Sequence, residues 1–295
     1  TGELSIGLGY SSLEQTSLAF GIDERNFLGT GRALSLSFEL SQKRSNFRLG
    51  VAEPYLFGRN LTGRAGVFND KVKQDSVSIS KTGFDFGIGF EAAQDYSHNV
   101  GYELSQSKTT ESSKTATSIT GENSAQILTS AASYVVGQDR LDNRLDPSEG
   151  TLFELGQELA GIGGDAKFYK VTGRAAYYRP VNFNALFFGV KGRASQVVGL
   201  GEKVTQSQRF FLGGRDVRGF ALSGIGPRDT GSKAAVGGNT LVTGSVEVVS
   251  HLGLSKDLNM RWTVFSDFGS VWGTDYPSGV TGANDNSMRS SVGVG

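Results

Sequence analysis

Apolar and polar residues alternate along most of this chain. Leu4, Ile6, Leu8 and Tyr10 interleave with Glu3, Ser5, Gly7 and Gly9. Leu34, Leu36, Phe38 and Leu40 interleave with Ser35, Ser37 and Glu39, and Phe84, Phe86, Ile88 and Phe90 with Asp85, Gly87 and Gly89. A period of two sends successive side chains to opposite faces of a β-strand. Similar stretches lie near residues 16–24, 46–53, 62–70, 99–107, 125–138, 150–160, 166–178, 184–197, 240–250, 258–270 and 287–295. The pattern predicts an all-β chain of about fourteen antiparallel strands, with no capped stretch of helical period. Strands of roughly 9–13 residues suit a tilted membrane crossing.

The connections fall into two alternating sets. One is short or aromatic-rich: Asn26 to Gly31, Pro54 to Gly58, Pro147 to Gly150, and Pro180 to Phe183. The other is longer and polar: 69–81, 105–126, a segment from about Val198 to Asn239, and 271–287. Long loops on one side and short turns on the other belong to an outer-membrane β-barrel. Aromatic residues near the strand ends suit interfacial girdles. A soluble β-sandwich also alternates. The strand lengths, the unequal connections and the Ser, Gly, Thr, Glu and Arg at the inward positions favour the barrel.

Composition narrows the possibilities. The 295 residues carry 29 basic and 29 acidic side chains, so no electrostatic argument favours a nucleic-acid partner. There is no cysteine, which excludes disulfides and thiolate metal sites and fits an oxidising compartment. His98 and His251 are too few for a histidine-rich metal centre. No apolar run is long enough for a transmembrane helix. No signal peptide opens the sequence, and a mature or trimmed chain would also lack one. The 42 glycines against 5 prolines indicate tight turns and crowded strands. A mean hydropathy of −0.22 suits strands with one polar and one apolar face.

Chemical motifs are few. Asp142, Arg144 and Asp146 have the spacing that opens a calcium loop, but Pro147 replaces the turn glycine and Phe153 the closing glutamate. A charged strand end entering a Pro-x-x-Gly turn is the better reading. Gly199 to Lys203 lacks phosphate-loop spacing. No catalytic constellation stands out, so the chain is read as no enzyme, with no metal and no cofactor.

The segment from about Val198 to Asn239 is too long for an ordinary connection, and loops of that length are usually functional or disordered. At its centre are Val217, Arg218, Gly219 and Phe220. On the strands that follow, Val242, Val246 and Val248 share one face, and Thr243, Ser245 and Glu247 the other. Met260, Trp262 and Val264 likewise oppose Arg261, Thr263 and Asp267. With the apolar face toward lipid, Glu247 and Asp267 point into the lumen. They are ordinary lumen-lining acids, or they are partners of Arg218 on a loop folded inward; alternation alone leaves both open. A guanidinium fork can serve two acceptors. Gly219 would let the loop approach the wall, and Phe220 would anchor it.

These residues resemble the BamA family, the central barrel subunits of the outer-membrane barrel-assembly machinery, within the POTRA-barrel assembly and translocation superfamily. The resemblance rests on Val217 to Phe220, Ile225-Gly226-Pro227-Arg228 and Gly237-Gly238-Asn239, which are similar to that family's sixth extracellular loop. Asn26 to Gly31 and Glu53-Pro54-Tyr55 resemble its first periplasmic turns, Asp142 to Gly150 a further turn, and Phe265 to Gly269 its thirteenth strand. It implies a transmembrane barrel of the sixteen-strand type with a long loop in the lumen, of which about fourteen strands are present. Residues 1–295 would form that barrel domain, with POTRA repeats expected before Thr1 and two strands after Gly295.

The resemblance implies contact between Arg218 and both Glu247 and Asp267. It implies an outer-membrane location in a Gram-negative-type bacterium and a role in folding and inserting client β-barrels, with client proteins, accessory assembly lipoproteins and the lipid bilayer as partners. The first strand, with Leu4, Ile6, Gly7, Leu8, Gly9 and Tyr10, would form the edge of a lateral seam. Gly7 and Gly9 would loosen its packing. A TamA-type relative, a two-partner-secretion transporter and a passive porin are the alternatives.

Overall fold

The structure, a computed structural model, describes residues 2–11, 14–74, 77–111, 126–144, 146–181, 186–251, 261–276 and 278–295. A 14-stranded antiparallel sheet follows chain order. Its strands are β1 (Gly2–Ser11), β2 (Gln15–Glu24), β3 (Ala33–Ser41), β4 (Arg44–Glu53), β5 (Thr62–Gln74), β6 (Val77–Ala93) and β7 (Tyr96–Glu111). They continue with β8 (Gln126–Asp139), β9 (Gly150–Ala160), β10 (Phe168–Val181), β11 (Leu186–Gly199), β12 (Thr240–His251), β13 (Arg261–Trp272) and β14 (Arg289–Val294). Among the described residues β1 pairs only with β2, and β14 only with β13.

The sheet curls around residues 200–239, the connection between β11 and β12, here called the lid. Lid residues reach the β1–β2 turn (Arg215 Nη2 to Glu14 Oε1, 2.9 Å), β7 (Ser207 Oγ to Ser107 Oγ, 3.1 Å), β10 (Gln208 Oε1 to Lys170 Nζ, 2.9 Å) and β13 (Arg218 Nε to Asp267 Oδ2, 2.7 Å). Only a wall wrapped around the lid offers partners from its first hairpin to its thirteenth strand. Outward side chains are apolar and open: Ile6 is 71% exposed, and Phe86, Val100, Phe153 and Trp262 are also exposed. An antiparallel ladder pairs the backbone groups within the wall, which a hydrocarbon surrounding requires.

The inward face is more apolar than alternation predicts. Phe168, Val197, Leu241 and Val271 of the wall pack with Phe210, Leu212, Val217 and Ile225 of the lid. The lid carries its own apolar side chains into the lumen, and the wall beneath it matches them. A strand-by-strand reading sees the faces of the wall but not what fills it.

Several connections differ from expectation. Residues 69–74 and 77–81 are strand rather than loop, because β5 and β6 stay paired up to Gln74 opposite Val77. The strand β7 likewise runs through the start of the 105–126 tract to Glu111, and residues 112–125 lie outside the described residues. Polar strands continue here because their inward Ser105, Ser107 and Thr109 are buried within the fold rather than set against lipid. At the other end β10 continues to Val181, whereas Asn182, Phe183 and Met260 lie outside the described residues. On the lid side, 42–43 is a tight turn beside the long 200–239 and 273–288, so the asymmetry of loop length holds only in part.

The turn from 140 to 149 is built on Asp142. Its carboxylate accepts from Ser148 N (3.0 Å), Ser148 Oγ (2.6 Å) and Glu149 N (3.1 Å). These three donors bind the carboxylate into the turn itself. The Ser148 hydroxyl first, and the backbone N–H groups after it, hold the Asp142 acid down to about 2. A folded value below the unfolded one, about 3.9, gives stabilisation that is complete above that range and lost as pH falls through about 2. Asp142→Asn is therefore expected to lower the unfolding temperature by a few degrees at pH 7, with the gap closing between pH 4 and pH 2. Circular-dichroism melts of the two proteins at pH 7, 4 and 2 check this; a gap constant across that range would contradict it.

Candidate functional site

The tip of the lid is a compact turn. Gly214 N donates to Phe220 O (3.0 Å), and Leu212 bridges to Ile225. Between these closures Val217 is driven into the core, fully buried, and Phe220 packs against the same cluster. Arg218 is thereby aimed at the wall where β12 meets β13. Its backbone N and its Nε both donate to Asp267 Oδ2 (3.0 and 2.7 Å), and its Nη2 donates to Asp267 Oδ1 (2.7 Å). Asp267 is 1% exposed and also accepts from Ser245 Oγ (2.7 Å), the residue directly opposite it in the ladder. The guanidinium carbon lies 3.5 Å from the centroid of the Phe265 ring.

Glu247 is the lesser partner. Its Oε2 stands 3.6 Å from Arg218 Nη2, and its Oε1 takes Lys191 Nζ at 3.4 Å. Register explains the difference: Glu247 pairs with Phe265 and lies diagonal to Asp267. Arg218 fits two acids unequally, with a bidentate fork on one and a looser ion pair with the other. A chamber of about 550 Å³ borders the site between the lid and the 140–149 turn, lined in part by Arg174, Lys191, Arg193 and Arg215.

Gly219 has φ +89, and a Cβ there would meet nothing closer than Ser291 Cβ at 3.9 Å. Its backbone conformation demands glycine, which corrects the expectation that close approach does. Close approach is instead demanded at Gly226, where a Cβ would lie 2.3 Å from Val271 Cγ1. Sequence reasoning did not assign a role to Ser245, Phe265 or Lys191. The signal for them was the ladder, since each sits one register step from an acid already chosen.

The residues of β1 lie apart from this site. Leu4, Ile6, Leu8 and Tyr10 are exposed on the outer face of β1. Gly7 and Gly9 sit opposite Ala19 and Ser17, and a Cβ at Gly9 would come within 2.9 Å of Ser17 Oγ. Among the described residues no group of three or more histidine and carboxylate side chains is placed to hold a metal ion.

The model of the Omp85 superfamily domain matches residues 26–295. The chain belongs to the Omp85 superfamily. It is 29% identical over 299 residues to the outer membrane protein assembly factor BamA of Neorickettsia risticii (strain Illinois), covering 100% of this chain and 40% of that protein. The crystal structure of BamA from Haemophilus ducreyi lacking POTRA domains 1–3 superposes with a TM-score of 0.83 at 25% identity, over 100% of this chain and 63% of that one. CdiB from Escherichia coli shares the fold less closely, with a TM-score of 0.57 at 14% identity over 99% of this chain and 55% of that one. The chain thus spans well under two thirds of its curated relative. The likeness to bacterial BamA proteins places it in the outer membrane of a Gram-negative-type bacterium.

Within this Omp85 barrel, removing Arg218 would leave the Asp267 carboxylate buried with only Ser245 as a side-chain partner. Arg218→Ala is expected to destabilise the fold by roughly 2–4 kcal/mol, less than a fully buried pair would lose because the arginine is open on one side. Arg218→Lys is expected to fall between, since it keeps a charge and loses the fork. Gly226→Ala is expected to lower the melting temperature more than Gly219→Ala. Thermal unfolding of the four variants in detergent gives the ranking; an Arg218→Ala protein that melts like the parent would remove the fork from the account.

Proposed function

We propose that this chain is the barrel of an assembly factor that folds and inserts other β-barrel proteins into the outer membrane through a seam at β1, without chemical turnover. The observation that carries this reading is the likeness to BamA along the whole chain, in sequence and in fold. The proposed partners are client outer-membrane β-barrels, accessory assembly lipoproteins and the bilayer. No cofactor and no catalytic residue enter the mechanism. In the whole protein, POTRA repeats would precede this barrel and two further strands would follow it.

The mechanism follows from the wall. A strand with one unpaired side presents a row of backbone donors and acceptors to another chain. When the seam parts, the flank of β1 that does not face β2 could template a client strand by β-augmentation. Its outward Leu4, Ile6, Leu8 and Tyr10 would keep the new pair in hydrocarbon. In this reading Val217, Arg218, Gly219 and Phe220, with Glu247 and Asp267, hold the lid in the lumen and brace β12 against β13 while β1 moves. The shared fold of CdiB keeps a two-partner-secretion transporter, which passes an unfolded substrate, as the rival reading; the lower likeness weighs against it.

Proline at β1 separates the readings. In the full-length protein, Leu4→Pro and Ile6→Pro remove one backbone donor each from the edge. Both are expected to slow insertion of a client barrel into liposomes several-fold, with each variant first shown to be folded by its heat-modifiable gel mobility. Folded variants that insert clients at the parent rate would refute the seam at β1.

A further inference from the structure

The outer face of β4 to β8 changes character along one line. Leu49, Val67, Phe84 and Leu104 form an apolar row in direct cross-strand register. The next outward row toward the lid side is Phe47, Asn69, Thr82, Gln106 and Leu128. The row beyond it is Ser45, Lys71, Ser80, Lys108 and Gln126. One step further, Lys73 faces Ser78, and its backbone N donates to Lys43 O (2.7 Å), which draws the β3–β4 hairpin alongside.

These lysines differ from those of the lumen. Lys81, Lys170 and Lys191 face inward, and each has a carboxylate: Glu103 at 2.6 Å, Glu158 at 3.4 Å and Glu247 at 3.4 Å. Lys71, Lys73 and Lys108 are exposed, and among the described residues none forms an ion pair. Among the described side chains of β5 to β7, the acids Asp70, Asp85, Glu91 and Glu103 fall on the lumen face by alternation. Asp165 keeps its charge but lies on the far side of β8 from the lysines, where its carboxylate accepts from Leu128 N at 2.9 Å. A face kept only for solubility mixes its signs; this one carries a single sign directly above an apolar belt.

Depth identifies the partner. Two rows are about 13 Å along a strand, and a strand tilt near 40° turns that into roughly 10 Å above the last apolar row. That is the headgroup zone of a bilayer. Lys71 and Lys108 stand two strand spacings apart, about 9.5 Å, with the Ser80 hydroxyl between them. Ammonium groups on flexible stems at that spacing can converge on one phosphate.

We propose that Lys71, Lys73 and Lys108 form a binding surface for anionic, phosphate-bearing lipid headgroups in the leaflet on the lid side. This surface depends on the orientation of the barrel in the membrane and not on its assembly role. The test uses the full-length protein in dodecyl maltoside, titrated with diphosphoryl lipid A or its dephosphorylated form and read by native mass spectrometry. The parent is expected to prefer the diphosphoryl form by about tenfold, a preference that weakens steeply in 0.5 M salt. The variant Lys71→Gln/Lys73→Gln/Lys108→Gln is expected to lose it, the corresponding triple arginine variant to keep it, and Lys167→Gln, which alters a lysine paired with Glu202, to keep it. The three positions are exposed, and gel mobility verifies that each variant is folded. No preference in the parent, or an unchanged preference in the triple glutamine variant, overturns the proposal.

Discussion

Hydrocarbon offers no hydrogen bonds, so a wall that crosses it must satisfy every backbone donor and acceptor within itself. An antiparallel ladder does this, and it forces side chains to alternate between two surroundings. Much else in the structure follows from that sorting. Outward positions become apolar wherever lipid touches them. Inward positions are free to carry charge, as at Arg48 with Asp85 (2.8 Å) and Arg174 with Glu154 (3.1 Å). A charged interior in turn gives an inserted segment something to bind.

The lid uses both kinds of surface. Leu212, Val217 and Ile225 satisfy an apolar patch, while Arg218 satisfies a carboxylate that has almost no contact with water. Each needs the other. The fork on Asp267 is strong because the apolar contacts exclude solvent on one side. The contacts are held in register because the backbone N of Arg218 is itself a donor to the same carboxylate. Gly219 permits this through its backbone conformation alone, and Gly226 through both a φ of +113 and lack of space.

Much of this was legible from residue order, and the failures are instructive. Alternation located the strands to within a few residues and assigned Glu247 and Asp267 to one face. It could not rank them, because rank depends on register: Ser245 opposes Asp267, whereas Phe265 opposes Glu247. Polarity led to residues 69–81 being read as a loop, although β5 and β6 stay paired up to Gln74 opposite Val77. Period-two reading weighs hydrophobicity, and strands that leave the bilayer lose that signal while keeping their hydrogen bonds. The apolar core beneath the lid was hidden because its two halves, such as Phe168 and Leu212, are far apart in the chain.

Arg215 and Arg218 hold opposite ends of the wall. One reaches Glu14 at the first hairpin and the other Asp267 on the thirteenth strand. Three residue steps separate them, so the backbone between can extend to about 10 Å at most. The lid tip is thus a tether of fixed length across the bore, and it limits the girth the barrel can reach while both ends are tied. Any widening between those points must first undo one end. Arg215 is 63% exposed and grips Glu14 through one ion pair, whereas Arg218 is bound to Asp267 through three hydrogen bonds. The weaker end lies at the first hairpin, so a barrel that expanded would release that end first and keep the lid moored to β13.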